Sequence, residues 1–77
     1  MEELLAYLAR TLVDEPGEVS VESFEEDDGT LVLELQVAEE DTGKVIGRGG
    51  RTVAALRTVV KAAAVKHERR VLVDVLD

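Results

Sequence analysis

Cysteine is absent from this 77-residue chain, which also has one histidine, one proline and two aromatic residues, Tyr7 and Phe24. Without cysteine there is no disulfide framework and no zinc-finger ligand set, and nothing points to an oxidising compartment. The single histidine, His67, falls at the end of a helical stretch, where a solvated residue favoured by the helix dipole accounts for it. A Ser–His–Asp set would need Ser20 or Ser23 to meet His67, and nothing in the pattern brings them together. The many carboxylates fall in strands, turns and first helical turns, where solubility and capping explain them. Catalysis, a metal and a cofactor are therefore not expected. Two aromatics are too few for a base-stacking platform across a sheet. The apolar runs are only a few residues long, far short of a membrane span. Met1-Glu2-Glu3 lacks the basic start of a signal peptide, so a cytoplasmic protein with no membrane association is expected.

At this length the chain is read as one domain, 1–77, with a modest core that dimerisation would help. The net charge is −8, which taken alone argues against a polyanionic partner. Its distribution argues the other way. Residues 1–43 hold fourteen acids and one base, Arg10, whereas residues 44–70 hold eight bases and one acid, Glu68. A polyanion approaching the second segment meets a basic surface whatever the average. The alternative is that these bases pair with acids elsewhere in the fold, although surface pairs add little stability and do not require such segregation.

Residues 2–13 have the periodicity of an amphipathic helix, with Leu4, Leu5, Leu8 and Leu12 on one side and Asp14-Glu15-Pro16-Gly17 as its stop. Residues 18–26 read as a strand. Val19 and Val21 alternate, but Phe24 is out of phase, which predicts a bulge near Glu22-Ser23 and a core position for Phe24. Asp28-Gly29 signals a hairpin. From Leu31 to Val37 the alternation is clean, placing Leu31, Leu33, Leu35 and Val37 inward and Val32, Glu34 and Gln36 outward. Glu39–Ile46 reads as a short helix. Residues 51–67 read as a long one, with Val53, Leu56, Val60 and Ala63 as its core stripe. The last strand, Val71 to Leu76, is apolar on both faces, which predicts either a cover on the second face or a dimer contact.

The segment between the last two helices, Val45-Ile46-Gly47-Arg48-Gly49-Gly50-Arg51-Thr52-Val53, contains three of the six glycines and two arginines. Gly47 is placed to end one helix in a conformation that favours glycine, and Gly50 and Arg51 to open the next. Such a turn exposes N–H groups at a helix N-terminus, and Arg48 and Arg51 add full charges, so the stretch is expected to hold phosphate. It is not a dinucleotide fingerprint, because Thr52 stands where the third glycine belongs. It is not a P-loop, because Arg51 replaces lysine and Val45 the first glycine.

Ile46-Gly47-Arg48-Gly49-Gly50-Arg51-Thr52-Val53 fits the apolar-G-x-x-G-x-x-apolar signature of KH domains. Over its full length the chain resembles the small bacterial single-KH-domain proteins of the KhpA type, most closely at Lys44-Val45-Ile46-Gly47, Gly50-Arg51-Thr52 and Leu56-Arg57. The element order α-β-β-α-α-β agrees with the type II KH arrangement, an α+β fold with helices on one face of a three-stranded sheet. The resemblance implies a non-enzymatic binder of single-stranded RNA, acting as an RNA chaperone or post-transcriptional regulator. It implies contacts from Lys44, Val45, Ile46, Gly47, Arg48, Gly49, Gly50, Arg51, Val53, Leu56 and Arg57. It also implies a homodimer and a larger KH-domain partner protein, and the competing reading is a KH-fold pairing module acting mainly through that partner. The turn Glu25-Glu26-Asp27-Asp28-Gly29, where KH domains have a variable loop that often grips ligand, is acidic here and would repel phosphate.

Overall fold

The structure, a computed structural model, describes residues 1–76. Three helices and three strands follow in the order α1 (Glu2–Leu12), β1 (Ser20–Glu25), β2 (Leu31–Gln36), α2 (Thr42–Ile46), α3 (Arg51–Lys66) and β3 (Val71–Val75). Single 3₁₀ turns precede β1, α2 and α3, at Pro16–Glu18, Glu39–Asp41 and Arg48–Gly50. The sheet order is β1-β2-β3, with β1 antiparallel and β3 parallel to β2. No helix among the described residues is long and apolar enough to cross a membrane.

The core lies between the helices and one face of the sheet. Leu5 and Ala9 of α1, Leu33 and Leu35 of β2, Val45 of α2, Leu56, Val60 and Ala64 of α3, and Val71 and Val73 of β3 form one buried cluster. Each large apolar side chain removed from water there contributes about 1.5–3 kcal/mol against the entropy of ordering the chain. The α3 stripe runs through Ala64 rather than the expected Ala63, which is half-buried at the edge of the same face, since residues three and four on from Val60 both lie on that side. In α1 the inward line is Leu5, Ala6 and Ala9, and Leu12 stays exposed. Alanines in that line let the helix lie close to the sheet.

The expected bulge in β1 is not there. Pairing with β2 runs unbroken from Ser20↔Gln36 to Glu25↔Leu31. Phe24 therefore stands on the face opposite Val21 and is 48% exposed, outside the core. Keeping every ladder hydrogen bond outweighs inserting one aromatic ring, because a slip would turn the rest of the strand over as well. Val32 points outward as its phase requires, yet is only 4% exposed; its cross-strand partners on that face are Phe24 and Leu72.

The hairpin forms at the expected place as a tight acidic turn. The Glu26 N–H donates to the Thr30 carbonyl, Gly29 takes φ 88°, and Asp28 Oδ1 accepts the Thr30 N–H at 2.9 Å. This last bond is the main cause of the lowered Asp28 pKa. Arg70 reaches Asp28 at 3.8 Å and Arg69 reaches Glu25 at 3.3 Å. The acidic turn is thus partly neutralised by the residues that follow α3.

One buried acid locks the approach to α2. Asp41 is fully buried, and its two carboxylate oxygens accept the backbone N–H groups of Asp14 and Glu15 at 3.2 and 3.0 Å. Burial raises its pKa, but those two hydrogen bonds and Lys44, at 3.6 Å, outweigh it, and the carboxyl stays below its ordinary value. Asp41 ties the α1–β1 connection to the helix that carries the glycine loop.

Candidate nucleic-acid interface

Between α2 and α3 the chain reverses through Gly47-Arg48-Gly49-Gly50. The Gly47 N–H closes α2 on the Gly43 carbonyl at 2.8 Å, and the Gly50 N–H returns to the Gly47 carbonyl at 3.1 Å. Gly47, Gly49 and Gly50 all have positive φ, at 78°, 63° and 77°. At Gly47 a side chain is excluded twice over, because a Cβ would also lie 2.8 Å from the Thr52 backbone nitrogen. Gly49 and Gly50 have open space around them and need glycine only for conformation.

Gly50 is the N-cap of α3 and supplies no side-chain oxygen, so the first-turn N–H groups of a 16-residue helix have no side-chain cap. The Arg48 and Arg51 side chains are exposed beside them. Neither takes part in the four ion pairs among the described residues, which involve Lys44 (twice), Arg69 and Arg70. The loop therefore combines open backbone donors, a helix N-terminus and two unneutralised guanidinium groups, a set suited to phosphate oxygens.

The other expected contact residues divide into two groups. Val45 is completely buried, Val53 and Leu56 are buried, and Ile46 is half-buried, so these apolar residues anchor the two helices that hold the loop. Lys44 is bound by Asp14 and Asp41, with a raised pKa caused chiefly by its hydrogen bond to Asp14. Arg57 is half-buried, and its Nε donates to the Val73 carbonyl at 3.1 Å.

That last contact identifies a feature the sequence reading missed. Leu31 N–H donates to the Arg70 carbonyl and Leu76 N–H to the Leu35 carbonyl, so the even-numbered residues of β3 bond to β2. The backbone groups of Val71, Val73 and Val75 consequently point to the open edge of the sheet, and Arg57 occupies one of them. One turn on, Lys61 lines a hollow of about 650 Å³ together with Val65, Arg70 and Leu72. Only the strand order could reveal an edge here, because a two-sided apolar strand also fits a buried central position.

The family model described as "KhpA/KhpB, KH domain" matches residues 2–75. The RNA-binding protein KhpA of Clostridium acetobutylicum is 50% identical over 76 residues, covering 99% of this chain and all of the relative. The RNA-binding protein KhpA of Halalkalibacterium halodurans is 51% identical over 78 residues, covering both chains completely. Among solved structures, Era in complex with MgGDPNP and nucleotides 1506–1542 of 16S ribosomal RNA superposes with a TM-score of 0.61. That match covers 96% of this chain but 28% of the Era chain, at 21% identity, so it supports the fold alone. With the α-β-β-α-α-β order and the glycine turn in place, the chain belongs to the KhpA/KhpB KH-domain family.

Proposed function

We propose that this protein binds single-stranded RNA without catalysis, holding the phosphate backbone at Gly47-Arg48-Gly49-Gly50. The observation that carries the reading is the open N-terminus of α3 beside two exposed, unpaired arginines, preceded by three positive-φ glycines. Backbone N–H groups and the Arg48 and Arg51 guanidiniums take the phosphates. The strand then runs along α3 past Arg57 and Lys61, where bases meet the open backbone of β3. Val45, Ile46, Val53 and Leu56 set the floor of that path by packing rather than by broad exposure. Lys44, held by Asp14 and Asp41, contributes less than the two loop arginines. Affinity for one site is in the range of largely electrostatic binding, roughly 10⁻⁴ to 10⁻⁶ M. The role is that of a cytoplasmic RNA chaperone or post-transcriptional regulator.

The test is fluorescence anisotropy of a short labelled single-stranded RNA across a salt series, wild type beside Arg48→Asp/Gly49→Asp. Aspartate tolerates the left-handed conformation of Gly49 and meets open space there, so the fold survives. Wild-type log K falls by about 0.7 per phosphate contact as log salt rises, and the variant does not bind. RNA affinity that persists in the folded variant overturns the clamp.

A second reading, a pairing module, is favoured by an apolar groove of about 210 Å³ between α1 and α3, lined by Leu8, Leu12, Ala55, Leu56 and Val59. Leu12 and Val59 are 37% and 45% exposed. A second copy, or the KH domain of a larger partner, would cover it and bring two loops onto one RNA. Sedimentation of Val59→Lys tests this: the variant is monomeric at concentrations where wild type pairs, and an unchanged dimer excludes the groove.

A further inference from the structure

The face of the sheet turned away from the helices is built differently from both the core and the glycine loop. Cross-strand register places Phe24, Val32 and Leu72 side by side in one row, and Glu22, Glu34 and Asp74 in the next. Phe24 and Leu72 are 48% and 45% exposed. Within the three strands this face carries three carboxylates and no cation. Like charges directly opposite one another on adjacent strands destabilise a sheet, and uncharged polar residues would solvate the face equally well. The fold therefore gains nothing from the acidic row, and in the apolar row beside it Phe24 and Leu72 stay half-exposed on either side of the buried Val32.

We propose that this open face docks a cationic amphipathic segment of another protein, its apolar side chains on Phe24–Val32–Leu72 and its lysines or arginines on Glu22–Glu34–Asp74. The rows lie about 7 Å apart, two residues along a strand, a spacing that a helix with an apolar stripe bordered by basic residues matches. Charge complementarity selects the occupant. A second copy presenting this same face would bring two sets of carboxylates together, and RNA would set phosphates against them. The face is opposite the helix layer that carries the glycine loop, so a docked segment leaves the loop free, and the two sites approach each other only at Leu72, which also lines the hollow beside Lys61.

The probe is a fluorescent helical peptide of about 15 residues with leucine at the i, i+3, i+4, i+7 positions and lysine along one flank. Two controls replace every lysine by glutamate or every leucine by alanine. The lysine–leucine peptide binds wild type, and neither control does. Binding weakens about tenfold in Glu22→Gln/Glu34→Gln/Asp74→Asn and again in Phe24→Ser, with Leu72→Lys as a second apolar-row variant. The carboxylate variant and Phe24→Ser keep wild-type circular dichroism and RNA affinity, because neither touches the glycine loop or the hollow beside Lys61, whereas Leu72→Lys, which lines that hollow, is read for fold and peptide binding alone. Equal binding of the leucine-free peptide, or undiminished binding by the variants, overturns the proposal. So does conversion of a wild-type dimer to a monomer by Phe24→Ser, which would make this face a contact between copies.

Discussion

Gly47 and Gly49 are separated only by Arg48 in the same loop, yet their substitutions have different consequences. A Cβ at Gly47 would press on the backbone nitrogen of Thr52, an atom held in the first turn of α3, whereas one at Gly49 meets nothing within 4 Å. Gly47→Ala is expected to destabilise by about 2–4 kcal/mol, from conformational strain plus overpacking, and Gly49→Ala by about 1–2 kcal/mol from conformation alone. Chemical denaturation of the two variants measures the difference, and equal losses would contradict the crowding at Thr52. Glu68 presents the converse case. It ends α3 at φ 54°, the sole non-glycine residue with positive φ among those described. Glu68→Gly is expected to stabilise by up to about 1 kcal/mol, because glycine carries no penalty at this C-terminal position.

Asp41 couples residue chemistry to pH. Its pKa is depressed, so the carboxylate contributes stability that is fully present above the unfolded value near 3.9 and is lost as pH falls through the folded value. Asp41→Asn keeps one acceptor and loses the charge. Its melting temperature should lie several degrees below wild type at pH 7, and the gap should begin to narrow below about pH 4 and shrink further as pH falls through the depressed folded value. A gap that is independent of pH would mean that packing, not charge, explains the loss.

At the scale of elements, α3 connects the two ends of the molecule. Its sixteen residues span roughly 24 Å. The glycine loop stands at its N-terminus, and the acidic turn, tied to Arg69 and Arg70, lies beyond its C-terminus. Repulsion from that turn therefore acts across more than a Debye length of about 8 Å at physiological salt. Glu26→Gln/Asp27→Asn should change RNA affinity by less than about twofold at that ionic strength. A larger gain would place the acidic turn within the RNA path. The element pattern itself was readable along the chain, since helix and strand periodicities in α1, β2 and α3 differ enough to be separated. β1 was misread at Phe24 because the local pattern favours burying an aromatic ring, whereas pairing with a clean β2 fixes its phase from outside.

Across the whole molecule, charge and apolar surface are sorted onto separate faces. Helices cover one side of the sheet, the loop arginines project at one end, and the acidic row with its apolar neighbour remains on the other side. The amino-acid sequence alone determined the α+β order, the glycine turn, the hairpin at Asp28-Gly29 and the segregation of acids from bases, because each depends on residues close together in the chain. Only the tertiary structure decided that β3 is an edge strand capped by Arg57, that Asp41 bridges two connections and that Lys44 is held while Arg48 and Arg51 stay free. The same is true of the row formed by Phe24, Val32 and Leu72. These features depend on which distant segments become neighbours, and a parallel pairing of β2 with β3 is set by packing of the helix between them rather than by any local pattern of residues.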